Sequence, residues 1–236
     1  MNCTKVFSLS DELILKMKEI YYTADTLSQE SAKMLEEIYC HKRLNQFDLN
    51  ISNIALLVLD MQDYFIDPAS HAFVPSAPAI VNSVNNLIDS FRKKNLTVIF
   101  TKHVNTPENA GQMKTQWKDL ITVNDPLNCL TRAISVESSA VIVKSQYDAF
   151  YDTELESILR SAFCDTVVIC GVMTHLCCDT TARSAFIKGF KVVIPVDGTA
   201  SYNRKFHLYS LYNLSHGFAV VTKIDDLIKK CEEKEI

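Results

Sequence analysis

The amino-acid sequence predicts an α/β fold: a doubly wound, mostly parallel six-stranded sheet with helices on both faces, plus a helical N-terminal extension. Two observations carry this. From Ile54 onward, short β-branched apolar runs alternate with longer stretches whose apolar residues recur at helical spacing, the pattern of consecutive βαβ units. The first and fourth of those runs are continuously apolar, as expected of strands covered on both faces. The 236 residues, 47% of them hydrophobic, suffice for one full core.

Residues 1–50 form the extension and 51–236 the main domain. Ser10-Asp11-Glu12 reads as a helix start, followed by Leu13, Ile14, Met17 and Ile20 at helical spacing. A second helical pattern runs from about Thr26 to Leu44. Such amphipathic helices bury one face, here against the main domain or a neighbouring subunit. Ile54 to Leu59 is the first strand, and Ala79 to Lys93 a helix. Leu96 to Thr101 is the second strand, and Glu108 to Trp117 a short helix or lid. Ala140 to Val143 is the third strand, and Asp152 to Ala162 a helix. Thr166 to Cys170 is the fourth strand, and Cys177 to Lys188 its helix. Lys191 to Pro195, Asn203 to Ser215, Phe218 to Val221 and Ile224 to Glu233 complete the alternation as strand, helix, strand and helix.

The net charge is −4 and no basic stripe is present, so nucleic acid is not an expected partner. No apolar run approaches the roughly 18 residues of a membrane span, and charged residues interrupt the N-terminus where a signal peptide would be apolar. A cytoplasmic protein is expected, with its eight irregularly spaced cysteines mostly buried thiols. Neither a P-loop nor a Gly-rich dinucleotide turn occurs, and no cofactor is expected.

Ligands in open α/β sheets bind beyond the carboxyl ends of the strands. The first strand ends in Asp60, the third in Lys144, and the fourth leads through a turn to Cys177. An acid, a lysine and a thiol at such positions suit nucleophilic catalysis. Asp60 serves as proton acceptor, Lys144 as counter-charge, Cys177 as nucleophile, and the loop's backbone N–H groups as oxyanion donors. A helix start would lower the thiol's pKa. Each residue alone also has a plain structural reading: a turn cap, a solvated charge, a small buried side chain. Phe65, His103, Trp117, Tyr147 and Phe150 are candidate walls of a small-molecule pocket.

The same residues carry a resemblance. Leu-Asp60-Met-Gln62, Lys144 with Tyr147 and Phe150, and Gly171-Val-Met-Thr174-His-Leu-Cys177-Cys178 continuing into Thr181-Ala182-Arg183 resemble the isochorismatase-like cysteine hydrolases. The likeness covers the chain from about Ile54 to Leu227. It implies an Asp60–Lys144–Cys177 triad, a thioester acyl-enzyme, and hydrolysis of an amide or ureido C–N bond in a small molecule. It also implies a cis peptide at Val172–Met173, an oxyanion hole from the N–H groups of Met173 and Cys177, and a homodimer or homotetramer. Gln62 and Thr174 join the substrate-binding candidates on this basis, and Cys178 is assigned to packing. Nicotinamidases of the family carry an Asp-x-His metal pair past the catalytic Asp. Here only His71 and His103 stand nearby, so no metal is expected and a nicotinamidase assignment weakens. Two other readings stay open: vinyl-ether hydrolysis through Asp60, and a non-catalytic binding or scaffold protein using its N-terminal helices.

Overall fold

A computed structural model describes residues 17–40, 51–117, 119–137 and 139–233. The helix expected from Ser10 falls largely outside these residues, and its described end, Met17 to Ile20, is not helical. The extension's second helix is α1 (Leu27–Tyr39); the expected continuation to Leu44 lies outside the described residues. The main domain follows as β1 (Ile54–Leu59), α2 (Asp63–Ile66), α3 (Ala77–Lys93), β2 (Thr97–His103), α4 (Met113–Gln116) and β3 (Ala140–Lys144). It continues with α5 (Leu155–Ser161), β4 (Thr166–Val172), a π-helical turn (Thr174–Cys178), α6 (Asp179–Ile187), β5 (Lys191–Pro195), β6 (Thr199–Ala200), α7 (Arg204–Gly217), β7 (Val220–Thr222) and α8 (Ile224–Glu232).

Among the described residues the sheet has seven strands, all parallel, in the order β3-β2-β1-β4-β5-β7, with the two-residue β6 beside the end of β4. The sequence reading missed β6 because two residues carry no periodicity. Connections from β1 step outward to β2 and β3, while those from β4 step the other way to β5 and β7. Helices leaving β1 and β4 therefore part, and a crevice opens between the two strand ends. Every residue of β1 and β4 is buried, which explains their unbroken apolar runs. β3 is an edge strand. Its Val141 and Val143 face outward, while Ile142 and Lys144 face in, the period of two that strand geometry imposes.

The α3 helix buries Ile80, Val84, Leu87, Ile88 and Phe91 as one stripe. Pro78 sits in its first turn, and Arg92 and Lys93 in its last, where each suits the local backbone and dipole. The described extension belongs to the same core: Tyr22, Leu27, Met34 and Ile38 are buried within it. The seven described cysteines are free. Among the described residues no helix is long and apolar enough to cross a membrane.

Candidate active site

Asp60 follows β1 directly, with a left-handed backbone (φ 52°) that Asp tolerates better than most residues. Its side chain is locked by Thr101 of β2, whose hydroxyl donates to Oδ1 at 2.6 Å. The Lys144 Nζ stands 2.7 Å from Oδ2, both side chains fully buried. Lys144 lies two strands away from Asp60, and neighbouring strands are about 4.8 Å apart, so a long side chain is needed to span β2. On its way the ammonium also donates to the Gln146 carbonyl at 2.9 Å and approaches His103 Nδ1 and Cys177 Sγ, each at 3.4 Å.

The Val172–Met173 peptide is cis. The chain then enters the π-helical turn, and Cys177 and Cys178 fall within it rather than at the start of α6. Cys177 faces the lysine and Cys178 is wholly buried in the core. Asp60, Lys144 and Cys177 thus converge from three strand ends.

Burial alone would raise the Asp60 carboxyl; the Lys144 ammonium overcomes it and holds the group below its ordinary range. Burial likewise opposes the Lys144 charge, and the Asp60 carboxylate reverses that, so the ammonium persists above its ordinary value. The thiol departs from expectation. Burial pushes Cys177 up to about 12, the Asp60 carboxylate adds to the rise, and Lys144 only partly offsets them. A helix start does not lower this thiol, because Cys177 lies before α6 and out of water. At neutral pH the resting site is a thiol beside a carboxylate–ammonium pair. Asp60 Oδ2 faces the Lys144 ammonium, and as a carboxylate oxygen it keeps a further lone pair for an incoming proton. Burial and the nearby ammonium lower His103 to about 4. It is neutral, and the Asn105 carbonyl oxygen at 2.8 Å from Nε2 assigns the ring hydrogen there.

Cys177 opens into a mostly apolar cavity of about 330 Å³. Of the expected wall residues, Phe65, His103, Trp117 and Tyr147 line it, as do Met173 and Cys177. Trp117 donates its indole N–H to the Tyr147 hydroxyl at 2.7 Å, which ties two walls together. Three expected substrate contacts are corrected. Gln62 is fully buried, its amide spent on the His103 and Asn128 carbonyls and its oxygen on the His103 N–H. Phe150 stacks on Phe190 in the core. Thr174 turns its hydroxyl away, to His207 Nδ1 at 2.8 Å. Arg183 pairs with Asp179 on the helix surface. Residues missed in the sequence also line the cavity, among them Tyr64, Asn105, Met113, Ile121, Leu176 and Tyr202. They sit in loops or in helical segments of four or five residues, too short to show a period, and only the strand-end position of Asn105, two residues past β2, offered a signal.

The donors do not fit a divalent ion. Asp60, His103 and Cys177 bring ligand atoms within 4.8 Å of one another, but the Lys144 ammonium already supplies the positive charge among them. His71 has Asp119 3.8 Å away and both are partly exposed, too few donors for a closed site.

A thiol, a buried acid and a buried lysine meet at the crevice of this doubly wound sheet, and the family to which the chain belongs is one of hydrolases. The chain belongs to the isochorismatase family: the model of the isochorismatase domain matches residues 54–226. It is similar to Nicotinamidase 3 of Arabidopsis thaliana, 35% identical over 185 residues that cover 76% of this chain and 89% of that protein. Among solved structures it resembles a cysteine hydrolase from Pseudomonas syringae pv. phaseolicola (TM-score 0.77, 25% identity, 81% of this chain and 98% of that one). A pyrazinamidase of Pyrococcus horikoshii, solved in complex with zinc, is also similar (TM-score 0.65, 26% identity, 72% and 99%).

Proposed function

We propose that this hydrolase cleaves the C–N bond of a small neutral carboxamide through a Cys177 acyl-enzyme. The observation that carries this reading is the Lys144 ammonium, 2.7 Å from Asp60 and 3.4 Å from the sulfur of Cys177, which itself lines an apolar cavity. Because the resting thiol is held protonated, its proton passes to Asp60 as the sulfur attacks the carbonyl carbon. The N–H groups of Met173 and Cys177, both cavity residues, then receive the oxyanion. Asp60 passes the proton to the leaving nitrogen, ammonia departs, and a water deprotonated by Asp60 hydrolyses the thioester. Lys144 stays protonated throughout and keeps the buried carboxylate from a permanent proton.

Aromatic walls from Phe65, Trp117, Tyr147 and Tyr202 suit a planar ring. The Arabidopsis relative, named a nicotinamidase, makes nicotinamide the first compound to assay. The weaker standing of nicotinamidase in the sequence reading rested on the missing metal pair alone, and the mechanism here routes no step through a metal. An anionic vinyl ether finds less support, since no described lining residue is Lys or Arg.

The test is turnover of nicotinamide and related carboxamides, with mass spectrometry of the acylated protein. Cys177→Ala is expected to abolish ammonia release, and a Cys177 thioester adduct is expected in quenched wild-type reactions. An unchanged rate in Cys177→Ala would sink the thiol mechanism and turn attention to Asp60. Neither turnover nor adduct across a broad amide and ureide panel would favour a binding protein.

A further inference from the structure

Tyr21 and Tyr22 lie upstream of the matched domain, residues 54–226, yet both are buried and both connect to the turn that carries Cys177. Their backbone N–H groups each donate to the Ser76 hydroxyl at 3.0 Å, which fixes the segment beside the start of α3. The Tyr22 hydroxyl donates to the Val196 carbonyl at 3.1 Å and lies 3.3 Å from His207 Nε2, the two rings packed edge-on at 5.6 Å.

His207 is fully buried, and burial lowers it to about 3, so its ring is neutral with one donor and one acceptor. A carbonyl only accepts. The Val196 carbonyl, 3.1 Å from Nε2, therefore places the hydrogen there and leaves Nδ1 to accept the Thr174 hydroxyl at 2.8 Å. Thr174 is the first residue of the π-helical turn that ends at Cys178. A second chain runs beside the first. The Tyr21 hydroxyl accepts the Ser201 N–H at 2.8 Å, and the Ser201 hydroxyl bonds His175 Nδ1, the next residue of that turn. The Glu19 N–H also donates to the Tyr202 carbonyl at 2.8 Å, behind an aromatic wall of the cavity.

We propose that the Met17–Tyr22 segment is a working part of the active site, with Tyr22 and His207 acting as positioning residues that hold the Thr174–Cys178 turn. The proposal rests on the cysteine mechanism above. A single π-helical turn is an uncommon backbone state, met frequently at functional sites, and this one takes support from outside itself. The two chains supply it at adjacent residues, from a segment that touches none of the reacting atoms. The turn presents both the sulfur and one oxyanion donor, so a small displacement misaligns both.

The experiment uses the full chain and four variants: Tyr22→Phe, Thr174→Val, Thr174→Ser and the Tyr22→Phe/Thr174→Val double. Two readouts are taken alongside thermal unfolding. One is kcat and KM for nicotinamide, or whichever amide the wild type hydrolyses. The other is the rate of Cys177 alkylation by iodoacetamide as a function of pH, which requires no substrate. Thr174→Val is expected to lower kcat by roughly 10–100-fold with KM little changed and to displace the alkylation profile. Thr174→Ser, which keeps the hydroxyl, restores both. Tyr22→Phe acts in the same direction, and the double variant loses less than the two single losses combined. Wild-type kcat and alkylation profiles in Tyr22→Phe and Thr174→Val would overturn the proposal. So would a loss that follows thermal stability alone and that serine does not rescue. Turnover surviving in Cys177→Ala would instead remove the thiol mechanism, and the alkylation comparison would still decide the positioning role.

Discussion

Asp60 and Lys144 are removed from water as a pair, and each makes the other's charge tenable. Removing one leaves an uncompensated buried charge. Lys144→Met is expected to cost about 3–5 kcal/mol of unfolding free energy and to abolish activity; Asp60→Asn added to it recovers stability but not turnover. Urea unfolding of the single and double variants checks this, and equal stabilities would contradict it. The pH dependence follows from the two shifts. Asp60 titrates below its unfolded value near 3.8, so its contribution is present above that value and is lost as pH falls through the lower folded one. Lys144 titrates above its unfolded value near 10.5, so its contribution is present below that value and is lost as pH rises through the higher folded one. Stability from this pair is therefore flat between those limits. That Asp60, Lys144 and Cys177 would come together was legible because strand ends in a parallel sheet share one edge. Gln62, Phe150 and Thr174 were misread because sequence position does not say which way a side chain turns or which polar atoms already satisfy it.

At the scale of elements, β1 and β4 meet where the site begins. Leu59 pairs with Gly171, and Gly171 has φ 110° with a virtual Cβ 2.0 Å from the Leu59 carbonyl oxygen. No side chain fits between these backbones one residue before Asp60. Gly171→Ala is expected to cost about 3 kcal/mol or more through overpacking and an unfavourable backbone angle, with activity falling as Asp60 moves. A urea midpoint equal to that of the wild type would show that the strand ends can part freely. The continuous apolar runs of β1 and β4 and the stripe of α3 were readable from sequence because central burial and helical period both act over many residues. The edge position of β3 was not: AVIV reads the same on an edge as in the middle, and only pairing with β2 alone exposes Val141 and Val143.

For the whole molecule, the described extension contributes Tyr21, Tyr22, Leu27, Met34 and Ile38 to the common core. At ~1.5–3 kcal/mol per large apolar side chain, that burial rivals the 5–15 kcal/mol that typically holds a folded protein together. A fragment of residues 51–236 is expected to be aggregated or molten by gel filtration and near-ultraviolet circular dichroism. Met34→Ala in the full chain is expected to cost about 2–5 kcal/mol. A monodisperse fragment with wild-type thermal stability would mean that the extension merely rests on the domain.

The sequence by itself determined the α/β alternation, the parallel sheet and the acid, lysine and cysteine that reach its edge, because periodicity and strand-end position are local properties. Only the tertiary structure decided the rest. Strand order placed Lys144 two strands from Asp60, burial kept Cys177 a thiol rather than a thiolate, and long-range hydrogen bonds joined Tyr22 to the turn that holds it. Charge, solvation and hydrogen-bond partners depend on which distant residues close around a group.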